Sequence, residues 1–297
     1  MSLDQLLEEY GLRGRTSELR RHALPAIAFS ITEERTTRSS FGGAPLVPSG
    51  FEWPSYTPAP RRYLPAVLER LGIAAPPEPV SRELDFLLQI DLRELRQHEV
   101  TSELPQSGML SFFYDCGNQP WGYDPAHQDG FRVVLFEGDN LVARAAPTGQ
   151  LESRGVKFWR AETLPHVGSR SYEDLVKALD VSGAYCDFLR DFERQTYGRE
   201  GGFHRLLGHS ANIQGDMQLE AQLVSNGLYC GDASGYSDPR AKALEAGASD
   251  WVLLLQLDSD DGARIMWGDA GMLYFWIRRQ DLAARRFDRT WLTLQCG

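Results

Sequence analysis

Cysteine is scarce in this chain. Four thiols, Cys116, Cys186, Cys230 and Cys296, are spread over 297 residues with no CxxC spacing, and only six histidines accompany them. That pattern argues against a zinc site and a disulfide framework, and it fits a reducing cytoplasm. Buried or incidental thiols are favoured over a nucleophile. Long apolar runs are also missing, since none approaches the ~20 residues that span a bilayer. The opening stretch, "MSLDQLLEEYGLRG", has no positive region followed by an apolar one, so no secretory signal is expected. Basic residues are in deficit, 31 against 41 acidic ones for a net charge of -10. Phosphate-backbone binding needs clustered Lys and Arg, so the balance disfavours nucleic acid and suits a basic partner. No Walker loop, GxGxxG or GxSxG is present.

What the chain does contain is an ordinary globular composition, 42% hydrophobic and 24% charged, enough for a substantial core. It also contains a repeat. "FLLQIDL" (Phe86 to Leu92) matches "LLLQLDS" (Leu253 to Ser259), and "GMLSFFY" from Gly108 matches "GMLYFWI" from Gly271. "FGGAPL" around Gly43 corresponds to "LLGHSA" around Gly208. The offsets in numbering agree closely, at 167 from Gln89 to Gln256, 163 from Gly108 to Gly271, and 165 from Gly43 to Gly208. A spacing this long predicts two copies of a domain-sized motif, about 39–150 and 200–297.

The LLQ and GML runs are short, apolar and aromatic, and they read as strands buried on both faces. "FRVVLFEGDNLVARAA" (Phe131 to Ala146) reads as a hairpin turning at "GDN". "SYEDLVKALD" starts with a capping box, Ser171 and Asp174, and "SGAYCDFLRDFERQTYG" continues as a helix to Gly198. Together they place joining helices at 171–198. "DMQLEAQLVSNG" and "DPRAKALEAG" begin with Asp caps and end at Gly, the latter with Pro239 at its first position. "RQDLAARRF" adds a short helix. Positions 1–38 are expected to form an N-terminal helical segment. Strands and helices mix without a βαβ rhythm, so the fold class is α+β, with mixed or antiparallel sheets and packed helices in one body. Two segments, Leu46–Pro60 and Cys116–Gly130, read as long, proline-laden loops of the kind that are often functional.

In order along the chain, "SSFGGAPLVP…WP", "LLQIDL", "LPQSGMLSFFY", "PWG", "LLGH", "LLLQLDSD", "WGDAG" and "YFWI" resemble the YwqG-like family of bacterial domains of unknown function. The resemblance covers about Ser39 to Gln295. It implies a cytoplasmic α+β protein with no established enzymatic activity, of a family that also occurs beside polymorphic-toxin genes. It supplies no catalytic residue.

The candidate sites divide on their chemistry. In "DSDDG…D", Asp258, Asp260 and Asp269 fall at positions 1, 3 and 12 of an EF-hand loop, but Gly262 and Ala263 occupy positions 5 and 6 and Asp269 is one carbon short. A strand-linking turn is the better reading, with no metal. Asp269 in "WGDAG" is expected to fix its loop by accepting backbone N–H bonds, because no acid, base or nucleophile partner is identifiable. His204 and His209 do not share a helical face as a metal pair would. Gln89 and Gln256 are expected to be buried amides that satisfy backbone, within or across the two halves. Trp121 and Tyr123 are either hot-spot anchors or a lid over a sheet edge, the lid being favoured.

Charge points to a partner. Between Glu200 and Asp269 there are eleven acidic residues and four basic ones, Arg205, Arg240, Lys242 and Arg264, a net of -7. The expectation is a non-enzymatic, cytoplasmic immunity protein that needs no cofactor and neutralises a cognate toxin, a basic nuclease domain. Its contacts would lie at Glu245, Asp250, Asp258, Asp260 and Asp261, with Trp121 and Tyr123 beside them. The alternatives are a small-ligand-binding module with its pocket between the two halves, or a hydrolase using Asp269 and a histidine.

Overall fold

The structure, a computed structural model, describes residues 3–59, 70, 79–98, 100, 103–148, 151–179, 182–198 and 202–297. Its elements run α1 (Leu3–Glu9), α2 (Thr16–His22), β1 (Leu24–Thr32), β2 (Ser40–Phe41), β3 (Leu46–Val47), β4 (Ser55–Tyr56), β5 (Arg82–Glu83), β6 (Asp85–Asp91), α3 (Leu92–Leu95), β7 (Met109–Tyr114), β8 (Phe131–Phe136), β9 (Val142–Ala143) and β10 (Gly155–Thr163). They continue α4 (Arg170–Leu179), α5 (Ser182–Tyr197), β11 (His204–Leu206), α6 (Met217–Val224), α7 (Ala233–Ser237), α8 (Ala241–Leu244), β12 (Trp251–Asp258), β13 (Met272–Arg278), α9 (Arg279–Ala283) and β14 (Trp291–Gln295). The fold is α+β, and the sheet pairings among these residues are antiparallel.

Two sheets carry the architecture. One has the order β2-β6-β7-β8, the other β10-β1-β11-β12-β13-β14. The block β2-β6-β7-β8 has the same internal order as β11-β12-β13-β14, and the registers run in step. Ser40 lies opposite Gln89 as Arg205 lies opposite Gln256. Gln89 then faces Ser111, and Gln256 faces Tyr274. Each long strand bulges at the same place, between Phe86 and Leu88 and between Leu253 and Leu255. A bulge kinks its strand and increases local twist, so sharing one gives both sheets the same curvature. Behind each short first strand the chain takes two left-handed residues in succession, Gly42 and Gly43 in one half, Leu207 and Gly208 in the other. A Cβ at Gly208 would meet Thr163 Oγ1 at 2.5 Å, so sterics as well as φ keep glycine there.

The repeated glutamines anchor this turn. Gln89 Oε1 accepts from Leu46 N at 2.8 Å while its Nε2 donates to Leu46 O and Ser111 Oγ. Gln256 Oε1 accepts from Ala211 N at 2.8 Å and its Nε2 donates to Phe203 O. Leu46 and Ala211 are separated by the same offset as Gly43 and Gly208. Both amides are fully buried and each serves its own half, so the cross-half pairing is not made. The core lies between the facing sheets, where Phe112 meets Phe275 and Tyr114 meets Trp267. A second cluster, with Leu7, Leu19, Leu175 and Phe188, packs α1 and α2 against α4 and α5.

Several expectations need correction. The N-terminal segment 1–38 is not only helical, because Leu24–Thr32 form β1, which sits between β10 and β11 and ties this segment into the second sheet. The hairpin expected at Phe131–Ala146 does not form: β8 pairs with β7, and β9 pairs with β3. Gly138 has the positive φ of a turn, but the residues that follow run on to pair with β3 rather than back onto β8. Ser169, not Ser171, caps α4, its Oγ accepting from Tyr172 N at 3.1 Å. The helix expected over Asp238–Gly247 is reduced to Ala241–Leu244 and followed by a 3₁₀ segment, Glu245–Asp250.

Candidate functional site

The acidic loop after β12 is more than an exposed turn. Asp258 Oδ2 accepts from Phe203 N at 2.9 Å. Asp260 Oδ1 accepts from Ala263 N, and its Oδ2 lies 3.1 Å from His204 Nε2. His204 Nδ1 accepts from Asp258 N at 3.0 Å. That bond assigns the proton to Nε2, which donates to Asp260. The hydrogen bond from His204 holds the Asp260 carboxyl below the usual range, whereas burial raises that of Asp258. His204 is completely buried and stacks on Phe29 at 5.2 Å. Both ring nitrogens are therefore occupied, and the imidazole pins the acidic loop to β11. A free Nε2 or Nδ1 would be needed for general-base work.

The structure separates the seven residues expected at an interface. Glu245, Asp250 and Asp261 are exposed, while Asp258 and Asp260 are half-buried and held by the bonds above. Glu245 and Asp250 precede β12 and Asp261 follows it, so the length of an eight-residue strand, about 25 Å, lies between the two groups. Sequence proximity overstates their clustering because a strand is extended. Trp121 and Tyr123 are also half-buried. Trp121 O accepts from Leu294 N at 2.9 Å, Gly122 O from Trp291 Nε1 at 2.9 Å, and Tyr123 O from Cys230 N at 2.8 Å. The "PWG" loop of the first half thus covers the outer edge of β14, as a lid does.

Asp269 is exposed, and among the described residues its carboxylate makes none of the expected backbone bonds. The loop closes through other groups instead: Gly271 N donates to Trp267 O and Gly297 N to Asp269 O along the main chain, and Gly268 N donates to the Gln119 side chain at Oε1. Left-handed backbone at Gly268 and Ala270 makes this closure possible. Among the described residues, no group of three or more His, Cys, Asp or Glu is placed to hold a metal.

A second polar centre lies at the joining helices. Arg205, 1% exposed, donates through Nη1 to Tyr197 Oη at 2.9 Å and through Nη2 to Gln256 Oε1 at 3.2 Å, with Glu193 Oε1 3.8 Å away. It ties α5 to the strand glutamine. A buried guanidinium of this kind is costly unless paired, so the pairing is structural.

No motif marks a further cavity beside the joining helices. It measures about 350 Å³ and lies on the outer face of the second sheet beneath the start of α4. It is not between the two sheets, and among the described residues Val100 and Glu103 line it from the first half. Two open pockets of about 570 and 560 Å³ do lie where the halves meet, one lined by Leu104 and Gln106 with Arg279 and Arg285, the other by Arg132 and Leu135 with Arg285 and Asp288. Trp251, Leu253 and Trp276 supply apolar wall. His209 and Gln218 supply polar wall, Arg170 and Asp174 add one charge of each sign, and Arg279 pairs with Glu103 at 3.8 Å. The Trp276 indole N–H is buried without an acceptor among the described residues, a cost of about 1–3 kcal/mol. His209 Nε2 is 2.8 Å from the carbonyl of His22, so Nε2 bears the proton and Nδ1 keeps a lone pair. Burial lowers the His209 pKa to about 4, leaving the ring neutral.

The class of protein is set by these features: an α+β body of two related antiparallel sheets. The family described as Domain of unknown function (DUF1963) matches residues 39–296, and the chain belongs to it. No curated protein matches the chain. Among the described residues, no helix is long and apolar enough to cross a membrane.

Proposed function

We propose that this protein acts by binding rather than by catalysis, as a cytoplasmic immunity protein that occludes a basic bacterial toxin such as a nuclease domain. The YwqG-like resemblance and its association with toxin genes suggest that setting. The observation that carries the reading is uncompensated charge. In the Glu200–Asp269 stretch, Arg205 is buried, Arg240 is held by Asp238 at 2.9 Å, and Arg264 reaches out to Glu152, just before β10. Glu245, Asp250, Asp261 and Asp269 are exposed and without a cationic partner among the described residues. A nuclease draws phosphates with Lys and Arg, and an inhibitor with free carboxylates competes for that surface and associates faster. A standard interface of about 800 Å² per partner is wide enough to take both acidic ends of β12. The closed bonding of His204 supports a structural use of the acidic loop over a hydrolytic one.

The test is co-expression with the toxin encoded beside it, in a sensitive strain, together with binding measured at low and high salt. Growth rescue and salt-weakened binding are expected. Reversal of Glu245, Asp250, Asp261 and Asp269 to Lys should weaken binding at least tenfold while leaving the fold intact. Failure both to rescue growth and to bind defeats the reading; undiminished binding after reversal defeats the electrostatic footprint.

A further inference from the structure

The two halves differ at one place on their outer faces. Leu84, Phe86 and Phe113 of the first half correspond, by the same strand registers, to Trp251, Leu253 and Trp276 of the second. All six are buried, at 4% exposure or less, but different groups bury them; in the first half the cover is aromatic. Phe51 and Trp53 pack on Phe113 with ring centroids 5.8 and 5.4 Å away, and Tyr56 joins the cluster. Trp53 Nε1 also donates to Leu84 O at 2.7 Å. In the second half the matching carbonyl, Trp251 O, accepts from Gln218 Nε2 at 2.5 Å. The hydrogen bond is reproduced by an amide, but the bulk of two aromatic rings is not. The 350 Å³ cavity borders this stretch of the second sheet and Gln218 itself.

We propose that this cavity binds a small neutral aromatic molecule carrying a hydrogen-bond donor, of the phenol or indole class, in the place that Phe51 and Trp53 fill in the other half. Leu253 and Trp276 close the floor of the cavity as buried apolar surface, while Arg278 lies over the Trp251 ring at 4.6 Å, and an aromatic ligand suits such a floor. His209 Nδ1 accepts the ligand's O–H or N–H, and a ligand oxygen can take the unpaired Trp276 N–H. Neutrality follows from the surrounding charges: Arg279 pairs with Glu103 at 3.8 Å, Arg170 interacts with Asp216, and Asp174 also lines the cavity. The volume falls in the range of small-molecule sites, which are mostly apolar with a few placed polar groups.

Calorimetric titration of the native chain with phenol, indole, toluene and benzoate tests this. Saturable binding of phenol and indole is expected, at least fivefold tighter than toluene and benzoate. Absence of saturable phenol and indole binding up to millimolar concentration overturns the proposal, and so does preferential binding of benzoate. Gln218→Trp restores the plug of the first half and should abolish binding in a folded chain, checked by circular dichroism; retained binding there overturns the site. Should Gln218→Trp fail to fold, His209→Ala decides: phenol weakened at least fivefold with toluene unchanged supports the site, and phenol unchanged refutes it.

Discussion

Phe112 and Phe275 meet across the two sheets with ring centroids 5.2 Å apart and planes at 72°. They hold the same station in the two halves, since Phe112 pairs with Leu88 and Phe275 with Leu255, each the first pair after the shared bulge. A residue that touches its own counterpart lies near a local two-fold relation, as at an isologous interface. Truncation of either ring to Ala should destabilise the chain by about 3–5 kcal/mol. The double variant should lose less than the sum, by about 1 kcal/mol, because the edge-to-face contact is removed only once. Denaturant unfolding of the four-member cycle measures this, and strict additivity would argue that the two rings do not support each other.

The buried glutamines give a sharper test of the repeat. Gln89→Leu keeps the volume but leaves Leu46 N–H, Leu46 C=O and Ser111 without the amide; Gln256→Leu does the same to Ala211 N–H, Phe203 C=O and the Nη2 of buried Arg205. Each should cost about 2–4 kcal/mol. Amide exchange should accelerate at Leu46 in the first variant and at Ala211 in the second. Equal acceleration at both sites in both variants would mean global loosening, and the paired anchor role would be wrong.

Much of this architecture is legible in the sequence, and the reason is period and repetition. The LLQ and GML strands are apolar runs whose partners lie in sequence order, so their pairing can be read directly, and the recurrence of Gln in an apolar run marks a buried amide. The cavity is not legible in the same way. It depends on what packs beside Trp251 and Trp276, and the segment after Gly208 forms α6 where the segment after Gly43 forms an aromatic loop. Carrying the offset of the repeat through to Trp53 shows that the second half has no aromatic counterpart. The joint role of Asp258, Asp260 and His204 is hidden for another reason, since the loop folds back onto a strand far earlier in the chain.

Adjacent carboxylates in that loop should behave oppositely. Asp260 accepts from Ala263 N and His204 Nε2, whereas Asp261 is exposed. Asp260→Ala should therefore destabilise the fold by about 2–3 kcal/mol through the lost bonds and the stranded imidazole. Asp261→Ala should stay within about 0.5 kcal/mol. Thermal or denaturant melts of the two variants decide it; equal effects would show that the His204 tie carries no weight.

Glu220 on α6 predicts how stability follows pH. Burial raises its pKa from 4.5 to about 7; Asp216 adds to the rise, and the Tyr236 hydroxyl, 3.4 Å from Oε2, opposes it. The native state thus holds the proton more tightly than the unfolded chain does. Stability from this group is fully present below about pH 4.5, falls as pH rises towards 7, and is flat above that. At 1.36 kcal/mol per pKa unit the loss is at most about 3 kcal/mol. Glu220→Gln keeps a neutral side chain at every pH. It should match the native chain at pH 4.5 and exceed it by about 2–3 kcal/mol at pH 8. Urea midpoints at pH 4.5, 5.5, 6.5 and 8 provide the check. A difference between the two chains that does not change with pH would place the Glu220 carboxyl in solvent, its ordinary pKa intact.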